Sequence, residues 1–172
     1  MENFTNMLNP NALSRIRRNH GLEHATLNVL TSKYARLSLA GHSDHRGFWI
    51  VGEVPTEALE EAVTQALARM QAGEHDLAIH ANCGTNFVAA GIIAGLTAWV
   101  TMLGSGRKLG QKLERLPLVI SFTTMALVLS QPLGPLLQAR VTTSGEPGTL
   151  SIKEIVVTNQ GPFKAHHVLT EG

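Results

Sequence analysis

Apolar and polar positions change their spacing several times along this chain, and each change marks an element. Residues 1–8 show no pattern and read as a loose amino terminus. From Asn9-Pro10 onward, Leu13, Ile16, Leu27 and Leu30 fall near helical spacing. That predicts a helix from Pro10 to about Ser32, with Asn9 as cap and Pro10 at the first helical position. Gly21 inside it costs about 1 kcal/mol against alanine. Its use is then to let another backbone, or the loop carrying His80, come close. Residues 34–40 and 48–54 alternate or run apolar as strands do, and the turn-rich stretch 41–47 joins them as a hairpin. Thr56 is placed to cap a second helix with the apolar stripe Leu59, Val63, Ala66, Leu67 and Met70, which Gly73 ends. Residues 77–80 read as a short strand.

Beyond Gly84 the charges vanish. Neither 85–106 nor 116–139 contains a charged residue, and both reach the roughly 20 apolar residues that span a bilayer. Spans are expected at 87–103 and 116–129. Gly91 and Gly95 form a G-x-x-x-G face flanked by Ala90, Ala94 and Ala98, expected to pack closely on the second span. Pro132, Gly134 and Pro135 should break that span near its end. The connection 107–115 is strongly basic, and the whole reads as a helical hairpin in the membrane. Residues 140–143, 151–158 and 165–169 then look like strands, separated by Gly145-Glu146-Pro147-Gly148 and Gln160-Gly161-Pro162, and able to join the earlier hairpin in one sheet. The expected fold is α+β: an N-terminal α+β region over residues 1–84, a transmembrane hairpin over 85–139, and a C-terminal β region over 140–172 that completes the N-terminal one.

Composition narrows the function. A net charge of +1 provides no nucleic-acid footprint. A lone cysteine excludes an internal disulfide. The expected partners are the lipid bilayer and a membrane protein or a second copy of the chain. Residues 1–19 lack the apolar run of a secretion signal. That places the polar domain on the cytoplasmic side of the membrane, although the positive-inside rule, applied to 107–115, argues the opposite.

The chemistry concentrates in two motifs. On a helix His20, Glu23 and His24 stand at i, i+3 and i+4, so all three leave one face. Two imidazoles one turn apart can share a divalent ion, with the carboxylate between them holding a water, in the H-x-x-E-H order of the inverted zincin motif. Two ligands alone bind weakly. His80-Ala81-Asn82-Cys83-Gly84-Thr85-Asn86 supplies the others: His80 and Cys83 have the knuckle spacing that aims both at one ion. Histidine with thiolate favours zinc. Four bound residues would make a closed structural site; three would leave a place for water, with Glu23 as general base. Glu74 is an alternative distal carboxylate, or a solvated residue after a helix stop. Thr85 and Asn86 can support the ligands or cap the first membrane helix. His42, His45 and Asp44 fit a polar turn. His166 and His167, adjacent on a strand, cannot serve one site.

The joined pattern His20-Gly21-Leu22-Glu23-His24, Thr26 and His80-Ala81-Asn82-Cys83-Gly84-Thr85 resembles an uncharacterised family of bacterial membrane proteins described as metal-dependent enzymes. Ala81 and Asn82 depart from that family's usual proline and arginine. The chain more closely resembles, over most of its length, domain of unknown function 6391, from photosynthetic bacteria. Gly41-x-Ser43, Gly47-Phe48, Gly73-Glu74, Leu77-Ala78-Ile79-His80 and Gly134-Pro135 carry that likeness. It implies a bacterial membrane protein with the paired motif, and no activity. The residues themselves support three readings: a membrane-anchored zinc hydrolase of peptidase type using Glu23; a membrane module whose closed zinc site serves assembly or scaffolding; and a metal-free oligomer built on the hydrophobic pair.

Overall fold

The structure is a computed structural model that describes residues 10–34, 37–160 and 163–172. The amino-terminal tail, the Asn9 cap and the Gly161-Pro162 turn lie outside the described residues. The fold is α+β, and the chain divides into two compact units: Met1–His80 with Gln138–Gly172, and Ala81–Leu137.

In the first unit, α1 runs Pro10–Lys33, much as the apolar spacing requires. It is followed by β1 (Ala40–Ser43), β2 (Gly47–Val51), α2 (Thr56–Gln71), a 3₁₀ turn (His75–Ala78), a π-helical turn (Gln138–Thr142), β3 (Ser151–Gln160) and β4 (Phe163–Glu171). The four strands form one antiparallel sheet in the order β1-β2-β4-β3. Helices α1 and α2 close its inner face. Leu22, Ala25, Val29 and Leu30 of α1 meet Leu59, Val63, Ala66 and Met70 of α2 over Phe48, Ile50 and Val168, all buried. Leu13, expected on the buried stripe, is instead 44% exposed.

Three local expectations are corrected. Of the strand expected at 34–40, residues 35–36 lie outside the described residues and 37–39 are not strand; the first strand is Ala40–Ser43, largely inside the stretch read as a turn. Pairing of Ser43 with Phe48 leaves only four residues, 44–47, between the paired positions. Asp44 Oδ1 holds this turn closed by accepting from the Arg46 and Gly47 amides at 2.6 and 3.0 Å. Residues 77–80 are not a strand; the 3₁₀ turn takes their place, its carbonyls bonded to a side chain of α1 rather than to a neighbouring strand. Residues 140–143 are not a strand either. The Gln138 carbonyl accepts both the Thr143 amide and its hydroxyl at 2.9 Å, which winds the segment into the wide turn. Thr56 opens α2, as expected, but Pro55 occupies the cap position. The Thr56 hydroxyl is instead shared with His166 Nε2 at 3.1 Å and Lys164 Nζ at 3.2 Å.

His166 and His167 point to opposite faces of β4. His167 stacks on Trp49 with ring centroids 4.0 Å apart. His166 is fully buried, and its Nδ1 has no hydrogen-bond partner. Desolvation, with a smaller contribution from Lys164, lowers its pKa below the usual histidine value. The unfolded chain therefore takes up a proton that the folded one refuses, so this group's contribution is present above about pH 6.5 and is lost as pH falls. Denaturant titrations from pH 7.5 to 5 should show a steeper loss of stability in the parent than in His166→Gln; parallel slopes would contradict this.

In the second unit, α3 (Gly84–Met102) and α4 (Leu109–Ser130) pack against each other as a hairpin, followed by α5 (Leu133–Leu137). Both long helices are long and apolar enough to cross a membrane. The hairpin forms, but not through its glycine face: a Cβ added to Gly91 or Gly95 meets nothing within 4 Å. Other faces of α3 and α4 make the contact. The glycine actually needed for close approach is Gly134, where a Cβ would come within 2.7 Å of Asn86 Cγ.

Candidate metal centre

Because 3.6 residues make a turn, α1 presents His20, His24 and Asn28 as one row. The ring centroids of His20 and His24 are 4.3 Å apart, and a ring nitrogen of one lies within 4.8 Å of a ring nitrogen of the other. His80 joins them with its ring 5.7 Å from His24. Three imidazoles from two remote segments therefore converge inside the first unit.

Their outer hydrogen bonds decide what the rings can do. His24, 2% exposed, has Nδ1 at 2.8 Å from the Ala78 carbonyl. His20, half-buried, has Nδ1 at 2.9 Å from the Thr142 carbonyl. A carbonyl can only accept, so Nδ1 carries a hydrogen in both rings, and in the neutral imidazole the lone pair then lies on Nε2. That is the arrangement in which imidazole ligates a metal while a backbone oxygen orients it. Two such ligands on a tetrahedral zinc sit about 3.3 Å apart, given zinc–nitrogen distances of about 2.0–2.1 Å. The donor set fits the ion.

The segment bearing His80 is fastened by side chains. Asn28 Nδ2 donates to the Leu77 and Ile79 carbonyls, each at 3.0 Å. Gln138, fully buried, clamps His80 on both sides of its backbone: its Oε1 accepts the His80 amide at 2.9 Å and its Nε2 donates to the His80 carbonyl at 3.0 Å. Arg17 spans the other end of that turn, with Nη2 3.1 Å from the Arg140 carbonyl and 3.0 Å from that of Thr143. Gly21 is where the backbones meet: a Cβ there would fall on the Ser144 carbonyl oxygen and lie 3.3 Å from Ala78 Cβ. The expected close approach is real, made by Ser144 and by the turn leading to His80. Replacing Gln138 by Leu strands both His80 backbone groups and should cost about 1–3 kcal/mol; chemical denaturation checks this, and an unchanged midpoint would contradict it.

Glu23 is 4% exposed and accepts a hydrogen bond from the Ser43 hydroxyl on β1. Gly41 makes the room, since a Cβ there would overlap Glu23 Oε1 and come within 2.7 Å of its Cδ. Asn19, also buried, anchors the same hairpin by donating to the Asp44 carbonyl at 2.9 Å and accepting from Thr170 at 2.8 Å. Glu74 is exposed in an ion pair with Arg69, whose hydrogen bond holds its carboxyl below the usual carboxylate range. Cys83 belongs to the second unit, where it is the N-cap of α3 and its sulfur accepts the Thr85 amide at 3.4 Å. Asn86 donates to the Ala81 carbonyl at 2.7 Å, a role at the start of that helix.

The family model for Domain of unknown function (DUF6391) matches residues 15–155, which takes in both motifs, the apolar hairpin, β1, β2 and the first half of β3. The chain belongs to this family. A 39% identical relative over 99 residues is an uncharacterised protein of a Picosynechococcus species; the alignment covers 49% of this chain and 48% of that protein. The DUF6391 chain thus spans about half the length of the curated relative it matches. No solved structure matches it.

Five supporting groups escape a reading of the sequence. Two are the carbonyls of Ala78 and Thr142, which leave no mark in a sequence. Ser43 is hidden in what reads as a polar turn. Gln138 does leave a signal, as a polar residue near the end of a charge-free run, and so does Asn28, one turn beyond His24 on the histidine face.

Proposed function

We propose that this protein is a membrane-anchored zinc hydrolase of peptidase type. His20, His24 and His80 hold the ion, and Glu23 is the general base. The observation that carries the reading is the pair of Nδ1–carbonyl hydrogen bonds that orient the rings of His20 and His24 on one face of α1, the way a backbone oxygen orients a metal-ligating imidazole. The likeness of the H-G-x-E-H and H-x-x-C-G-T motifs to a family described as metal-dependent enzymes supports it. Two helices long and apolar enough to cross a bilayer support the anchor.

Zinc would lower the pKa of water and polarise the scissile carbonyl. Glu23 takes the proton from the attacking water and returns it to the leaving amine, so the carboxylate ends unchanged. Burying this carboxylate beside Ser43 costs free energy that a purely structural site has no reason to spend. The second reading, a closed site for assembly of a membrane complex, is favoured by the Gln138 clamp that fixes the segment carrying His80.

Glu23→Gln separates the two. A hydrolase should lose activity on a casein-derived peptide mixture by about 10²–10⁴-fold, the usual worth of a general base, while keeping its zinc and its midpoint of unfolding. Retained hydrolysis in that variant would dismiss Glu23 as the base. Zinc binding without hydrolysis in the parent protein would leave the assembly role.

A further inference from the structure

We propose that the tip of the apolar hairpin is a docking site for anionic phospholipid headgroups, a reading that rests on the hairpin lying in a bilayer. Every Lys and Arg of the second unit sits at this one end: Arg107, Lys108, Lys112 and Arg115. Glu114 is the single acidic residue between Asp76 and Glu146, so four cations against one carboxylate leave +3 at the tip.

The backbone gathers these charges. The turn between α3 and α4 is only six residues long, and it closes through Gly104 at φ +73° and Gly106 at φ +83°, a region other residues rarely adopt. Arg115 Nη1 donates to the Thr101 carbonyl at 3.2 Å, holding the second turn of α4 level with the end of α3. Arg107, Lys108 and Lys112 remain exposed.

Apolar groups lie at the same level. Leu109, Leu113 and Leu116, at i, i+4 and i+7 on α4, are 72%, 53% and 43% exposed. A solvated loop gains nothing from such a stripe. An interfacial helix does: the leucines enter the acyl boundary while the lysine and arginine stems reach back to phosphate. The cations stand within two turns of the charge-free spans, at the depth of the headgroup layer. Phosphodiester anions are what that layer offers them.

Trp99, one turn before the end of α3, reports on this depth. In a Trp49→Phe background it is the sole tryptophan. The full chain is reconstituted in phosphatidylcholine vesicles carrying equal fractions of either brominated phosphatidylglycerol or brominated phosphatidylcholine. The anionic lipid should quench Trp99 with a relative binding constant about fivefold higher, the worth of roughly one basic residue near a surface. That preference should fall toward unity in 0.5 M salt and in the R107Q/K108Q/K112Q variant. Equal quenching by the two lipids, or an undiminished preference in the variant, overturns the docking site while leaving the bilayer reading intact. Absence of quenching by either overturns both.

Discussion

His24→Ala should reduce bound zinc from one equivalent to below about a tenth, because a site built on folding holds its ion only while its ligands are complete. The choice of His24 follows from its burial and from its bond to Ala78. Removing the ring abolishes a ligand, opens a cavity, and leaves a buried carbonyl without its donor. The unfolding midpoint should therefore fall even in a chelator, by the cost of the stranded carbonyl, about 1–3 kcal/mol. Zinc added to the parent should raise the midpoint, and zinc added to the variant should not, since only binding to the folded state stabilises. Metal analysis of detergent-purified protein decides it: a full equivalent in His24→Ala would remove this histidine from the shell. His20→Ala should lose zinc as well, with a smaller intrinsic loss because His20 is only half-buried.

Gly21→Val should be strongly destabilising. Its Cβ would overlap the Ser144 carbonyl oxygen, a backbone atom held in place by Ser144 donating its amide to the Arg17 carbonyl at 2.9 Å. Neither side can rotate away. Either α1 or the segment after the π turn must move, and with it the Thr142 carbonyl that orients His20. The cost should reach about 3 kcal/mol, the upper range for overpacking, a fall of about 6–12 °C in Tm for a chain of this size. Gly91→Ala and Gly95→Ala are the matched controls, since a Cβ there meets open space. They should leave Tm unchanged or slightly higher. A Gly21→Val protein that melts with the parent would show that the two segments are not in fact pressed together.

The contrast between these glycines also separates what was legible from what was not. Gly21 and the G-x-x-x-G pair look equivalent along the chain, each a small residue in a helix. Which one another backbone approaches depends on how helices and strands are placed in space. The same holds at Ser43: its hydroxyl meets Glu23 because β1 starts at Ala40 rather than at 34, and only pairing with β2 sets that register.

The long elements were legible. A 24-residue α1, the stripe of α2, two long apolar helices and the β3–β4 hairpin all follow from periodicity and from where charge is sparse. Short segments were not. Residues 77–80 and 140–143 have too few positions for a period to declare itself, and side chains of α1 fasten the carbonyls of both.

What the sequence alone determined is the face of α1: a spacing of four residues sends His20, His24 and Asn28 the same way whatever surrounds them. The tertiary structure decided that His80 joins that face, that Ala78 and Thr142 take the Nδ1 hydrogens, and that Gln138 holds the turn. Those are contacts across 54 to 122 residues of chain. Local spacing cannot encode them, because they exist only once the sheet and the two helices have closed on a common core.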